Sequence, residues 1–452
     1  MLRHLAICAL AGLALFAVYV SNGRFLESTD TFGAELLPIS ILQQHNLWFD
    51  QYYVDPNSPL TGSASVRPGS IPPEFEYRVA PETDNERIAW WFRLRNGHVI
   101  SYFPIVAGLV NTPVFAVASW LGVTLAENVM ALTHITAAAV AALSVLAMYA
   151  CLVQVSRKRT AVFLSVAFAF GTAVWSTNSR SLYQHGPSVL FITLAVALLL
   201  TRRQALVALA GLCLGLAIFD RPTDAITAAL LGLYVWRQQR SSFVGFAALA
   251  AIPLAAMALY SQVAWGSPLA LGQGNTPDLF ATQPSEPLQA AVGLLLSPNR
   301  GLLAFSPIFV FSLVSAVYVL RKRIGPPLIP YLLVASVLTY GLYCFWSDWI
   351  GGHTYGYRFL IDIIPVLMLT LAVSWDRLIA PRAVARAAFS FALLASIYIQ
   401  GLGAVTAPCG YDDDPNNINY HHERLYDVAN GEIARCTEMQ ATAIRALASN
   451  TS

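Results

Sequence analysis

The sequence predicts an all-α membrane protein with about eleven transmembrane helices. Hydrophobic residues make up 56% of the 452-residue chain and charged residues only 12%, and the mean hydropathy is +0.56. A soluble domain carries about twice that charged fraction, so most of this chain lacks the polar residues that a water-facing surface needs. The net charge of +2 offers no basic field to phosphate backbones, which excludes nucleic acid as a partner.

Apolar runs close to membrane-spanning length recur along the chain. The first run follows Arg3 and resembles a secretory signal, but no small-residue cleavage site comes after it, and we predict an uncleaved helix. The eleven runs lie near 5–20, 129–154, 161–176, 187–200, 205–219, 225–236, 243–264, 302–320, 327–345, 360–375 and 387–405.

Basic clusters occupy every second junction between these runs. Because positively charged loops stay on the cytoplasmic side, the alternation places the N-terminus in the cytoplasm and the C-terminus in the periplasm. This pattern predicts a multi-pass protein of the bacterial inner membrane, surrounded by membrane lipids. The clusters are Arg157-Lys158-Arg159, Arg202-Arg203, Arg237 with Arg240, Arg321-Lys322-Arg323, and Arg377 with Arg382 and Arg386.

The predicted membrane domain covers residues 1–405 and contains a long periplasmic loop, 21–126. Apolar residues at helical spacing over 34–47 predict an amphipathic helix at the membrane interface. The run 99–121 would break the alternation of the basic clusters, and it contains two prolines. We therefore expect it to form helices that lie in the outer leaflet or dip into it.

The C-terminal tail, 406–452, is polar. Its two cysteines, Cys409 and Cys436, would form a disulfide if the tail is periplasmic. The other four cysteines lie in or beside apolar runs, and the six together show no metal-ligand spacing. The cysteines therefore predict no metal site.

Four short loops assigned to the periplasm each carry a single arginine: Arg180, Arg221, Arg300 and Arg358. Because basic residues are depleted on that side of a membrane, an isolated one there often has a function. Four guanidinium groups over one pocket would bind an anionic phosphate. In the alternative interpretation, each arginine pairs with a neighbouring carboxylate or with the C-terminus of a helix.

Arg358 ends the densest local pattern, Trp346-Ser-Asp-Trp-Ile-Gly-Gly-His-Thr-Tyr-Gly-Tyr-Arg358. Aromatic rings stack on sugars, glycines let the backbone approach a ligand, and the arginine can hold a phosphate. An aromatic belt at the membrane interface would explain the tryptophans. It would not explain the paired glycines or the arginine.

Three carboxylates, Glu27, Asp30 and Glu35, follow directly after the first helix. A base that deprotonates an acceptor hydroxyl at the membrane surface must be an ionisable group at that depth. Asp30 could instead cap the N-terminus of a helix that begins at Thr31. His185, at a predicted helix start, could donate a hydrogen bond to a phosphate or sugar, or it could be structural.

These features together resemble the GT-C superfamily of membrane glycosyltransferases. More specifically, the chain resembles bacterial relatives of the protein-mannosyl, aminoarabinose and arabinofuranosyl transferases over about residues 1–375. The resemblance is carried by Asp30-Thr31, Leu37-Pro38-Ile39-Ser40, Leu47-Trp48-Phe49-Asp50, Ser101-Tyr102-Phe103-Pro104, Leu182 to Pro187, Asp220-Arg221-Pro222, Ser297 to Leu302 with Ser306-Pro307, and Trp349 to Arg358.

The resemblance implies that Asp30 is the general base. It also implies that outer-loop arginines bind the donor phosphate, which fits Arg358 best. Some relatives have two adjacent acids where this chain has Asp30-Thr31, so the use of a divalent metal stays open and no cofactor is assigned. The residues expected in the sugar and acceptor pocket are His185, Trp349, His353, Tyr355, Tyr357, Tyr102, Glu27 and Glu35.

The implied reaction moves a sugar from a polyprenyl-phosphate donor to a periplasmic glycan, lipid or protein. Nucleotide sugars are absent outside the inner membrane, so the donor should be lipid-linked, and a single displacement would invert the anomeric carbon. The main alternative is a transporter or flippase of a lipid-linked sugar, which would place ionisable groups near the midplane. A glycan polymerase or ligase and a structural membrane subunit are further alternatives.

Overall fold

The structure is a computed structural model, and the residues it describes are 2–23, 25, 28–52, 92–270, 272, 286–352, 354–411, 418 and 421–450. Helices dominate this part of the chain. They are α1 Leu2–Val20, α2 Phe32–Ile39, α3 Val106–Trp120, α4 Val129–Val155, α5 Lys158–Phe170, α6 His185–Leu200, α7 Gln204–Asp220, α8 Ala225–Gln238, α9 Phe243–Trp265, α10 Glu286–Leu296, α11 Leu302–Phe305, α12 Phe309–Lys322, α13 Ile329–Cys344, α14 Ile364–Leu378, α15 Ala383–Val405 and α16 Glu432–Asn450.

Each of the eleven predicted apolar runs overlaps a helix. Within the described residues, four helical segments are long and apolar enough to cross a membrane: Ala126–Leu152, Arg240–Trp265, Arg358–Leu378 and Ala383–Val405. The other apolar helices are shorter. The chain is therefore a predominantly helical membrane protein, whereas the count of eleven spans and their orientation stay predictions.

The first loop differs from the prediction in two ways. Residues 99–121 do not form helices throughout, because their start belongs to an antiparallel hairpin of β1 (Phe92–Arg95) and β2 (His98–Ser101). The remainder of the run forms α3. The hairpin pairs Phe92 with Ser101, a contact that an all-α prediction did not include.

The helix expected over 34–47 forms as α2 and a following π-helical turn, Ser40–Gln44, but its first part is not amphipathic. Helix α2 ends at Ile39 and all eight of its residues are buried. Helix α3 covers it closely because Gly108 has no side chain, and a Cβ there would lie 2.7 Å from Cδ2 of Leu37. Asn111 on α3 also donates a hydrogen bond of 3.1 Å to the carbonyl of Ala34. Packing against α3 therefore buries α2, whereas Gln43 and Gln44 beyond it are exposed.

Helices α7 and α9 pack with their backbones in close approach. Gly211 on α7 lies directly against the carbonyl of Phe246, and a Cβ at Gly215 would lie 2.5 Å from the carbonyl of Ala250. Small residues permit such contacts between membrane helices, where packing rather than the hydrophobic effect drives association.

We expect Gly211→Ala to destabilise the protein, because the added methyl group would overlap the Phe246 carbonyl and push α7 from α9. Overpacking of this kind costs about 2 kcal/mol. The measurement is the unfolding temperature of the purified protein in detergent. Gly341→Ala on α13 is the matched control, because a Cβ there meets no atom within 4 Å. Equal unfolding temperatures for the two variants would contradict the close approach of α7 and α9.

Candidate active site

Asp30 and Arg358 meet in an ion pair between Oδ2 of the carboxylate and Nη2 of the guanidinium. Asp30 lies in the helical turn Thr29–Thr31 after α1, and Arg358 begins the turn Arg358–Ile363 that leads into α14. Neither described helix start in the 28–39 segment has a side-chain capping bond, so Asp30 does not act as an N-cap. The Arg358 and Asp30 side chains stay 12% and 17% exposed, which leaves the pair reachable from outside.

The guanidinium of Arg358 is oriented by its surroundings. Its central carbon lies 4.2 Å from the ring centroid of Tyr183, and Nη1 donates a bond of 3.3 Å to the carbonyl of Gly351. Its Nε is buried and has no hydrogen-bond partner among the described residues. Arg358 therefore presents a fixed cation at the opening.

Asp348 is a third charged residue at this pair, and sequence reasoning did not select it. It lies exposed at the opening beside Asp30 and Arg358, whose charges act on it. Partial desolvation by the surrounding protein raises the pKa of its carboxyl to about 6, an effect that the positive charge of Arg358 opposes. Its position inside the Trp346 to Arg358 pattern was the sequence feature that could have identified Asp348.

A second, buried charge cluster is centred on Arg221. Its Nη1 contacts Asp362 Oδ2 and His185 Nδ1, and its Nη2 donates to the hydroxyl of Tyr343. The Arg221 and Asp362 side chains are only 6% and 4% exposed. Ser188 extends the cluster by donating a 2.5 Å hydrogen bond to Asp224 Oδ2. Asp362, Tyr343 and Asp224 were missed from sequence, although Asp362 lies one helical turn beyond Arg358.

Phe359 separates the two clusters. Its ring stacks on Tyr343 at 4.8 Å with an interplanar angle of 7°, and it lies 6.2 Å from the ring of His185. The charges of Arg358 and Arg221 both act on His185. Phe359 therefore contacts residues of both clusters. Arg358 is paired at the opening and Arg221 is paired in the interior.

Arg180 and Arg300 do not join this site. Arg180 is fully buried and donates to the carbonyls of Gly403 and Ala407, the latter at 2.7 Å, at the C-terminal end of α15. Arg300 pairs with Glu432 at 3.2 Å. These are the helix-end and carboxylate contacts of the alternative interpretation, although Arg300 also binds the Gly352 carbonyl, next to the Gly351 carbonyl that Arg358 binds.

The aromatic residues of the late loop lie in the core. The hydroxyl of Tyr357 accepts from the Ala173 N–H at 3.0 Å, and that of Tyr355 donates to the carbonyl of Ile399 at 2.8 Å. Trp349 is buried against Gly293. These three residues shape the loop from inside and present no ring to the Asp30–Arg358 opening.

The remaining predicted site residues are dispersed. Glu35 is fully buried and accepts a hydrogen bond from Thr31, while Tyr102 lies under Arg93, with 4.6 Å between the guanidinium carbon and its ring centroid. Glu27 and His353 lie outside the described residues. Within the described ranges, no group of three or more His, Cys, Asp or Glu side chains could hold a metal ion.

The tail cysteines are joined. Cys409 and Cys436 form a disulfide with their Cα atoms 5.1 Å apart. Cys409 follows α15 and Cys436 lies in the second turn of α16, so the bond holds the start of α16 beside the end of α15.

The two ion pairs should respond differently to loss of the acid. Asp362→Asn would leave the interior guanidinium of Arg221 without its counter-charge, at a cost of about 3–5 kcal/mol. Asp30→Asn breaks a pair that water can reach and should cost about 1 kcal/mol or less. Unfolding temperatures of both variants in detergent give the comparison. A larger loss for Asp30→Asn would contradict the assignment of the Arg221 cluster to the interior.

Comparison with known proteins bears on the fold. No protein-family model and no curated protein matches the chain. Among solved structures, the chain is similar to the archaeal oligosaccharyltransferase AglB from Archaeoglobus fulgidus in complex with an inhibitory peptide and a dolichol-phosphate. The TM-score is 0.50 at 14% identity, over 95% of this chain and 60% of that one. The apo form of the Archaeoglobus fulgidus oligosaccharyltransferase gives 0.48 at 15% identity over 95% and 60%. The chain thus spans about three fifths of that protein's length, and the AglB complex shows that the two share a fold.

Proposed function

We propose that this protein is a membrane glycosyltransferase that moves a sugar from a polyprenyl-phosphate donor to an acceptor at the periplasmic face of the bacterial inner membrane. The observation that carries the proposal is the accessible Asp30–Arg358 pair, in which a first-loop acid meets a late-loop cation within a GT-C fold. The AglB complex with dolichol-phosphate and a peptide supports this class of donor and includes a peptide among the candidate acceptors, beside a glycan or a lipid.

Arg358 is assigned to the donor phosphate. A guanidinium binds phosphate through charge-assisted hydrogen bonds, and the Nη2 of Arg358 that holds Asp30 lies at the opening, where a phosphate can reach it. The face of Tyr183 fixes the plane of the group before the donor arrives. Arg358 can therefore receive a phosphate without rearranging its own support.

Donor binding then prepares the base. In the resting pair, the carboxylate of Asp30 is held by Arg358. A donor phosphate competes for the same guanidinium, and the carboxylate that it releases can accept a proton from the acceptor. The site thereby becomes reactive only when the donor is bound.

The transfer itself is a single displacement. The acceptor hydroxyl, or another nucleophile, attacks the anomeric carbon as Asp30 takes its proton. The bond from that carbon to the phosphate oxygen breaks, its electron pair stays with polyprenyl phosphate, and Arg358 stabilises the charge. The anomeric carbon is inverted, and a product that retains the donor's configuration would exclude this route.

Arg221 and His185 receive supporting roles in this scheme. Arg221, Asp362 and His185 hold one another in the interior, and Phe359 lies between them and Arg358. The cluster therefore fixes the turn Arg358–Ile363, to which both Asp362 and Arg358 belong. The same buried charges are the observation that favours a transporter, because intramembrane ionisable groups also line translocation paths.

Asp30→Asn should abolish most transfer while donor binding persists, because the amide keeps the size of the side chain but cannot accept the proton. We expect kcat to fall by about 10²-fold or more. Purified protein would be incubated with a synthetic polyprenyl-phosphate sugar and a panel of glycan, lipid and peptide acceptors. Product formation and donor affinity are measured together.

The matched control is Asp376→Asn, which breaks another arginine–aspartate pair, Arg157 Nε to Asp376 Oδ2 at 3.2 Å, far from this site in the fold. Its transfer rate should equal that of the native protein. Unchanged transfer in Asp30→Asn would move the base to another residue. If the native protein moves the donor across vesicle membranes but transfers no sugar, the flippase alternative is favoured.

Donor affinity should depend on pH through Asp348. Its carboxyl, with a pKa of about 6, is neutral in more acidic solution and negative in more basic solution, where it repels the donor phosphate. The donor is a phosphodiester and does not titrate in this range. Affinity should therefore weaken about threefold between pH 5 and pH 7, the effect of one screened charge a few ångströms away. Asp348→Asn should give a flat profile, and a pH dependence that survives this substitution would contradict the assignment.

A further inference from the structure

The C-terminal tail reaches the loop that carries Arg358 through one buried carboxylate, Glu432. Oε2 of Glu432 accepts a hydrogen bond from the N–H of Gly356 at 3.1 Å and pairs with Nη1 of Arg300 at 3.2 Å. The N–H of Glu432 donates to Oδ1 of Asn299 at 2.7 Å. This first residue of α16 therefore joins two separate loops of the membrane domain.

Arg300 carries the contact further along the same loop. It is 1% exposed, and its guanidinium donates to the carbonyls of Ile350 at 3.0 Å and Gly352 at 2.9 Å. Arg300 and Glu432 together hold the loop at residues 350, 352 and 356. The carbonyl of Gly351, between the first two of these points, accepts the bond from Arg358.

The loop needs such external support. Gly351, Gly352 and Gly356 all have positive φ, at 80°, 63° and 78°. Glycine gains no side-chain packing and has the largest freedom to lose on ordering, so this backbone supplies little stability of its own. Its shape is set by the groups that bind its carbonyls and N–H groups, and Arg300 and Glu432 are two of them.

The tail is itself fixed to the Ser297-Pro-Asn-Arg300 segment. Oγ of Ser297 donates to the carbonyl of Leu425 at 2.6 Å, and Nδ2 of Asn299 donates to the carbonyls of Arg424 and Asp427 at 2.8 and 2.9 Å. The Cys409–Cys436 disulfide adds a covalent link one turn beyond Glu432. The Ser-Pro-Asn-Arg motif is thus a site at which the membrane domain binds the tail.

We propose that Glu432 is a positioning residue for sugar transfer: the disulfide-closed tail holds the glycine loop so that Arg358 faces Asp30. This inference rests on the proposed function. Glu432 touches neither donor nor acceptor in it. Loss of its charge would loosen the backbone under Arg358, and the phosphate would then meet a less ordered guanidinium. Donor affinity should fall while the chemical step keeps its rate, because a bound donor phosphate re-orders the guanidinium that stabilises it and Asp30 is unchanged.

The test compares Glu432→Gln with Glu438→Gln in the full chain. The amide keeps the size of Glu432 but weakens its charge-assisted bonds to Arg300 and Gly356. Glu438 lies exposed on the same helix and serves as the matched control. Amide hydrogen exchange over residues 350–358 reports loop order without any substrate. Initial rates with a synthetic polyprenyl-phosphate sugar give KM and kcat.

In Glu432→Gln we expect exchange over 350–358 to be about tenfold faster and donor KM about tenfold higher, with kcat within about twofold of native, as for loss of one charge-assisted bond. Glu438→Gln should match the native protein in all three. Unchanged exchange, or a fall in kcat with KM unchanged, would overturn the inference.

Two further arms keep the result interpretable. If Glu432→Gln does not fold, reduction of Cys409–Cys436 with dithiothreitol leaves Arg300 and Glu432 intact, and faster exchange over 350–358 is again expected; unchanged exchange would overturn the inference. If native protein transfers no sugar to any acceptor, the proposed function fails. The exchange data then still decide whether the tail orders the loop.

Discussion

A buried guanidinium must be hydrogen-bonded or neutralised, and this constraint organises the loops at the helix ends. An unpaired cation in a low-dielectric interior costs several kcal/mol, so each loop arginine determines what packs beside it. Arg180 donates to a carbonyl at the end of α15. Arg221 pairs with Asp362, and Arg300 pairs with Glu432 in the tail. Arg358 pairs with an acid from the first loop and stays open to solvent. The same requirement therefore produces three structural contacts and one that a ligand can exchange.

The exchangeable pair links two events that would otherwise be independent. One guanidinium serves both the resting carboxylate and, in the proposed reaction, the donor phosphate. When one partner occupies the guanidinium, it displaces the other, and no domain has to move. The glycine loop and Tyr183 keep the guanidinium in place throughout, which makes the competition local.

Hydropathy and charge alternation were sufficient to locate the helices, because each run must be apolar to be buried or to face lipid. The special residues Asp30 and Arg358 could also be selected, since acids and isolated arginines at helix ends are costly. The partners of Arg221 could not be predicted, because Tyr343 on α13 and Asp362 in the turn before α14 reach it only after the helices have packed. The burial of α2 likewise depends on a neighbour, α3, whose glycine admits Leu37. Periodicity in α2 alone carries no information about that neighbour.

The positive φ angles of Gly351, Gly352 and Gly356 have a consequence for engineering. Any side chain introduced at these positions would have to adopt an unfavourable backbone conformation. The three glycines are therefore poor positions for substitution. Ser347 and Asp348, just before them, are exposed and lie on the same loop. A library that varies the loop beside the Asp30–Arg358 pair should therefore change these two positions and keep the glycines fixed.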